Sequence, residues 1–211
     1  GLVEQDDHAG PDGVVAAPLH HLALDGLRLN ASPQHEETCG DAEPASHARK
    51  GSIFAPMSQD ERFMRQAIAK AKDGIAAGQT PFGACITKDG KVVASEHNVV
   101  WATTDITAHA EVHAIRQACK RLGTIDLSGC VIYSTCEPCP MCFSAIHWAK
   151  IDKIVFGVGI ADADALGFSE LAVSNKLLKE MGPSPVQVVE GFLRDECLEV
   201  FRSWAKLPRR Q

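Results

Sequence analysis

His109, Ala110 and Glu111 are followed, 25 residues after the glutamate, by Cys136-Glu137-Pro138-Cys139, with a second proline at Pro140. One imidazole and two thiolates suit zinc, and three protein ligands leave the fourth tetrahedral position to water or hydroxide. Glu111 adds a carboxylate that can carry protons without binding the metal. These are the parts that zinc-dependent hydrolytic deamination of a nucleobase requires. The spacing therefore nominates His109, Cys136 and Cys139 as ligands of one zinc per chain, with Glu111 as the acid–base group.

Each half of the pattern also has an ordinary reading. A Cys-x-x-Cys pair at a helix start can be a redox pair or half of a structural zinc site, and His-x-Glu on a helix is commonly a solvated face. Together, in this order, the two halves are more specific. A structural zinc would be closed by a fourth protein ligand. His113 and Cys142, each one helical turn beyond an expected ligand, are the candidates for that position. Otherwise both are packed helix residues.

The elements that must position these residues follow from periodicity. Apolar residues at Phe63, Ala67, Ile68, Ala71 and Ile75 predict a helix from Gln59 to Ala77, ending at Gly78. Gly83 to His97 predicts a hairpin turning at Asp89-Gly90. A helix over 108–119 carries His109 and Glu111, and a strand over 130–134 leads to a helix over 138–149. A strand over 153–158, a helix over 170–180, a strand over 185–189 and a helix over 196–205 complete the pattern. A hairpin followed by alternating helices and strands implies a three-layer α/β/α sandwich around a mixed five-stranded sheet. Both halves of the signature then fall at helix starts, where unpaired amides and the helix dipole favour thiolates. Pro138 suits such a start, because its missing amide proton costs nothing there.

Apolar content of 45% and charged content of 23% are those of a globular chain. Charge is uneven. In residues 1–56 the acids outnumber the bases by the whole formal net charge of −6, so residues 57–211 hold both signs in equal number. Residues 1–56 also lack sustained periodicity and are expected to be a disordered extension ahead of one catalytic domain, residues 57–211. Val14 to Leu29 is too short and too broken to span a membrane. The cysteines cluster as metal and thiol residues rather than as a disulfide framework, which predicts a reducing cytoplasm.

Pro81-Phe82-Gly83-Ala84, Asn98, Asp105 to Ile115, Cys136 to Cys142, Ala145 to Ala149 and Asp162 to Phe168 together resemble the cytidine-deaminase-like superfamily, and within it the guanine deaminases. The likeness spans Gln59 to Phe168. It implies the same zinc set and proton-shuttling Glu111. It also implies substrate binding by Asn98 through a hydrogen bond, by Phe82 and Trp148 near the flat faces of the base, by Asp162 at the N–H edge of guanine, and at Ala110. Each has a bland alternative: Asn98 as a cap after the hairpin, Phe82 and Trp148 as core aromatics, Asp162 as a loop or N-cap residue with Asp164 in its place. The resemblance further implies a homodimer. It departs at the C-terminus, where such enzymes carry a closing tyrosine; the one tyrosine here is Tyr133, and Phe192, Phe201 and Trp204 stand in the terminal segment.

A deaminase acting on tRNA or single-stranded nucleic acid needs a basic footprint. Dense basic sequence is confined to Lys206 to Arg210, so a free nucleobase or nucleoside is the expected partner rather than a nucleic acid.

Overall fold

The computed structural model describes residues 57–168 and 171–208; the expected extension, residues 1–56, lies outside them. The first helix, α1 (Gln59–Ala76), begins with a reciprocal cap: the Glu61 amide donates to Ser58 Oγ at 3.1 Å and the Ser58 amide to Glu61 Oε2 at 2.8 Å. Its apolar positions Phe63, Met64, Ala67, Ile68 and Ala71 are buried, as their spacing requires.

The hairpin β1 (Gly83–Lys88) and β2 (Lys91–His97) turns through Asp89 and Gly90 at φ 51° and 70°. Two left-handed residues in succession match the twist of the strands they join. The remaining elements in chain order are α2 (Val100–Thr103), α3 (Ala110–Leu122), β3 (Cys130–Cys136), α4 (Pro140–Trp148), β4 (Lys153–Val158), α5 (Ile160–Ala165), α6 (Asn175–Met181), β5 (Gln187–Val189) and α7 (Arg194–Ala205). The sheet order is β2-β1-β3-β4-β5. The β1 pairings with β2 and β3 are antiparallel, whereas β3 with β4 and β4 with β5 are parallel. The three-layer architecture with a mixed five-stranded sheet is therefore as expected.

Two apolar layers flank the sheet. Ile86, Ile132, Ile154 and Phe156 pack with Ala110, Ala114, Phe143 and Ile146, so α3 and α4 cover one face. Phe63, Met64, Tyr133, Val155, Leu198 and Phe201 form the other layer with α1 and α7. Burying each such side chain removes apolar area worth roughly 1.5–3 kcal/mol. Gly83 permits the close approach of α1, since a Cβ there would run into the Ala67 carbonyl oxygen. Arg65 ties α1 to α7 through a forked pair to Glu196 at 2.9 and 3.0 Å.

Two short helices, α2 and α5, have no apolar period and were not expected. The helix expected over 170–180 starts later, at Asn175, because Ser174 caps it by accepting from the Leu177 amide at 3.2 Å. No helix among the described residues is long and apolar enough to cross a membrane.

Candidate active site

Two helix N-termini converge beside the ends of β3 and β4. His109 is the N-cap of α3, and Cys139 is the N-cap of α4, with Pro140 in the first helical position. The loop entering α3 is fixed by Asp105, which accepts from the Thr107 amide at 2.9 Å and hydroxyl at 2.6 Å and pairs with Arg116 at 3.1 Å. These contacts hold the Asp105 carboxyl below its ordinary range, the Thr107 hydroxyl contributing most.

The structure revises the ligand set. His109, Cys139 and Cys142 have donor atoms all within 4.8 Å of one another, the one such group among the described residues. His109 Nδ1 lies 3.7 Å from Cys139 Sγ and 3.6 Å from Cys142 Sγ. Zinc bond lengths of ~2.3 Å to sulfur and ~2.0 Å to nitrogen at tetrahedral angles require about 3.5 Å between such atoms, so donor type and spacing both fit zinc. Cys136 is outside the group. It is the last residue of β3, paired in register with Val158, and packs in the apolar layer that contains Val158 and Ala163. Cys139 and Cys142, by contrast, stand three residues apart at the start of one helix and share a face. The signal that distinguishes the two cysteine pairs is the proline directly before the first thiol: Pro138-Cys139-Pro140-Met141-Cys142 has it, and Cys136, preceded by Thr135, does not.

His113 does not close the site. Its Nδ1 faces the His97 carbonyl at 3.3 Å and Glu96 at 3.8 Å. Among the described residues the group thus has three protein donors, with the Glu111 carboxylate beside Cys142.

Glu111 is 4% exposed in the first turn of α3. Ser134 Oγ donates to its Oε1 at 2.8 Å, and the Cys142 thiol donates to its Oε2 at 3.4 Å. Burial pushes the Glu111 carboxyl up, against the opposing effects of His109 and Ser134. Hydrogen bonding from Cys142 brings the Cys139 thiol down to about 4, with His109 assisting against burial. Cys142 is correspondingly raised, chiefly by that same bond and by burial. In the metal-free protein one thiolate is thus already prepared for a cation.

The expected substrate residues are dispersed. Asn98 is 5% exposed, its amide nitrogen on the backbone donates to the Phe82 carbonyl at 3.1 Å, and its Oδ1 accepts from the Val100 amide at 3.1 Å. Its Nδ2 makes no hydrogen bond among the described residues. Phe82 stands edge-on to Phe168 and Phe201, each at 5.2 Å, and Phe168 continues to Trp204 at 4.8 Å. This aromatic group unites Phe82 with the C-terminal rings that sequence reasoning had noted only as a departure. Ala110 is fully buried in the core layer.

Two expectations fare differently. Trp148 is 80% exposed at the last position of α4, whose nine residues span about 13 Å from the end that carries the cysteines. It therefore stands at the opposite end of α4 from the cysteines of its own chain. Asp162 is held by Arg194 at 2.6 and 3.0 Å, which keeps its carboxyl low, and it accepts from the Gly159 amide at 3.4 Å.

The sheet, its two helical layers and the His/Cys/Cys centre with a buried carboxylate define a zinc-dependent hydrolytic deaminase domain. Residues 57–158 match the cytidine and deoxycytidylate deaminase zinc-binding region. The chain is 39% identical over 145 residues to the guanine deaminase of Bacillus subtilis (strain 168), covering 68% of this chain and 92% of that one. It is 38% identical over 141 residues to the tRNA-specific adenosine deaminase of the same organism, covering 67% of this chain and 85% of that one. The solved structure of guanine deaminase from Nitrosomonas europaea superposes with a TM-score of 0.66 at 26% identity, over 73% of this chain and 88% of that one. The chain belongs to the cytidine-deaminase-like family of zinc-dependent nucleobase and nucleoside deaminases.

Proposed function

We propose that this chain deaminates a free purine base, guanine, to xanthine and ammonia. The observation that carries the chemistry is the buried Glu111 carboxylate against Cys142 in the His109, Cys139 and Cys142 group. Zinc held by those three residues would supply a Lewis acid that brings the pKa of a water molecule down to ~7. Glu111 takes a proton from that water as its oxygen adds to the ring carbon bearing the exocyclic amine. It would pass that proton to the adjacent ring nitrogen, then take the remaining proton from the added hydroxyl and give it to the amine as the carbon–nitrogen bond breaks, so that guanine and water become xanthine and ammonia. Ser134 holds Oε1, and Oε2 lies against the Cys142 sulfur of the group, beside the position a held metal would take. A carboxyl raised by burial is better matched to taking and returning protons near neutrality.

For the substrate, Asn98 has its side-chain NH₂ to offer to a carbonyl or ring acceptor, and Phe82 offers a ring edge backed by Phe168 and Phe201. Asp162 can read the donor edge of guanine only by releasing Arg194. The charge balance of residues 57–211 and the guanine deaminase relatives support a small substrate. The free thiols at Cys85, Cys119, Cys130 and Cys197 accord with a cytoplasmic setting, and the exposed Trp148 and Met181 with a homodimer.

The second reading is deamination of adenosine in tRNA, favoured by the 38% identity to the tRNA-specific enzyme. Ammonia release from guanine, guanosine, cytosine, adenosine and a tRNA anticodon stem-loop separates the two. Turnover of guanine supports the first reading; turnover of the stem-loop with guanine inert replaces it with the second.

A further inference from the structure

Glu137 and Asn175, outside the His109, Cys139 and Cys142 group, fasten the cysteine loop. Glu137 Oε1 accepts from the Asn175 amide at 2.7 Å, and Oε2 accepts from the Ile160 amide at 3.1 Å. These amides open α6 and α5, so one carboxylate caps the positive ends of two helices. The Glu137 amide in turn donates to the Val158 carbonyl at 2.7 Å. Asn175 returns the contact through its side chain, Nδ2 donating to the Pro138 carbonyl at 2.5 Å.

Asn175 is fully buried, and its Oδ1 has no hydrogen-bond partner among the described residues. A buried amide oxygen left unpaired is unfavourable, so an apolar residue would serve stability better at this position. What asparagine alone adds is the donor to Pro138. The two residues directly ahead of Cys139 are thereby held to β4, α5 and α6 together, which leaves little freedom in the torsions that aim the Cys139 sulfur at His109.

We propose that Glu137 and Asn175 are positioning residues for the metal ligands: they fix the aim of Cys139 and through it the affinity of the centre for zinc. The inference rests on the reading of His109, Cys139 and Cys142 as the zinc set. Outer groups that orient ligands in this way typically contribute 10- to 100-fold in metal affinity.

The test strips the full-length protein of metal and titrates zinc back against a chromophoric chelator, for Glu137→Gln, Asn175→Ala and a core control, Leu198→Ala. The expected result is a zinc affinity lowered about 10- to 100-fold in the two loop variants, at unchanged saturating stoichiometry. Cobalt(II) substituted into them should show altered tetrahedral absorption bands. Leu198→Ala, which lowers the melting temperature of the metal-free protein through the core alone, should bind zinc as the parent does. Affinity within threefold of the parent in both loop variants, with only the metal-free melting temperature reduced, overturns the proposal. Should one loop variant fail to fold, the other decides. Zinc retained by Cys142→Ser would instead overturn the ligand set itself, a separate failure.

Discussion

The Ser134 hydroxyl reaches across from β3 to donate to Glu111 Oε1 at 2.8 Å, so the strand and the helix that bracket the centre are joined through the carboxylate. Glu111→Gln is expected to keep the fold and the zinc while lowering kcat by at least ~100 to 10,000-fold, the usual worth of acid–base assistance. Zinc content by mass spectrometry beside steady-state rates checks both halves. Ser134→Ala removes a donor that favours the ionised carboxylate. The Glu111 pKa should then rise further, and the acidic limb of the kcat/KM profile should move to higher pH, with a rate loss of roughly tenfold from one bond to a charged group.

Cys142→Ser should abolish stoichiometric zinc binding, because it removes one of the three donors. Cys136→Ser should retain zinc and lose stability only, of the order of 1–3 kcal/mol for a polar group placed in an apolar layer. The opposite pattern of zinc contents would restore the cysteine pair read from sequence.

The metal-free protein should respond to pH through Cys139. Its thiol is lowered from an ordinary value of 9.0 to about 4 by hydrogen bonding from Cys142. The unfolded chain therefore binds the proton that the folded chain lacks, and folding stability rises with pH across that window. Chemical denaturation of the chelator-treated protein at several pH values, compared with Cys139→Ser, should show this slope in the parent and lose it in the variant.

Trp148→Ala should leave kcat/KM for guanine within about twofold, since the ring is exposed at the far end of α4. Asp162→Asn and Arg194→Gln should each cost no more than ~1 kcal/mol of stability, as for other exposed ion pairs. If Asp162 also reads the base, only Asp162→Asn will raise KM for guanine. A tenfold loss with Trp148→Ala would restore that residue to the binding site, supplied by a neighbouring chain.

The sheet was legible because its strands are short apolar runs set off by turn residues, and the hairpin because Asp89-Gly90 accommodates two left-handed positions. The buried face of α1 announced itself through spacing. The short helices α2 and α5 did not, since one turn is too brief to establish a period. The cysteine pair was misread because three thiols at equal intervals offer two Cys-x-x-Cys frames. What selects between them is where β3 ends and α4 begins, a boundary of few residues on which the direction of every side chain depends. The place of Trp148 was hidden for a related reason: only the end of α4 shows which side of the layer the ring occupies and that it is exposed there.

The sequence separation of 30 from His109 to Cys139 shapes how the molecule forms. The imidazole lies before α3 and the thiols lie after β3, so the ligands meet only when the starts of α3 and α4 come together. Closing a segment of this length carries an entropic cost before any bond to the metal rewards it. A chain in which the two helix starts are apart can offer zinc at most a dithiol clasp, so tight retention of the ion reports that α3 and α4 have been brought together.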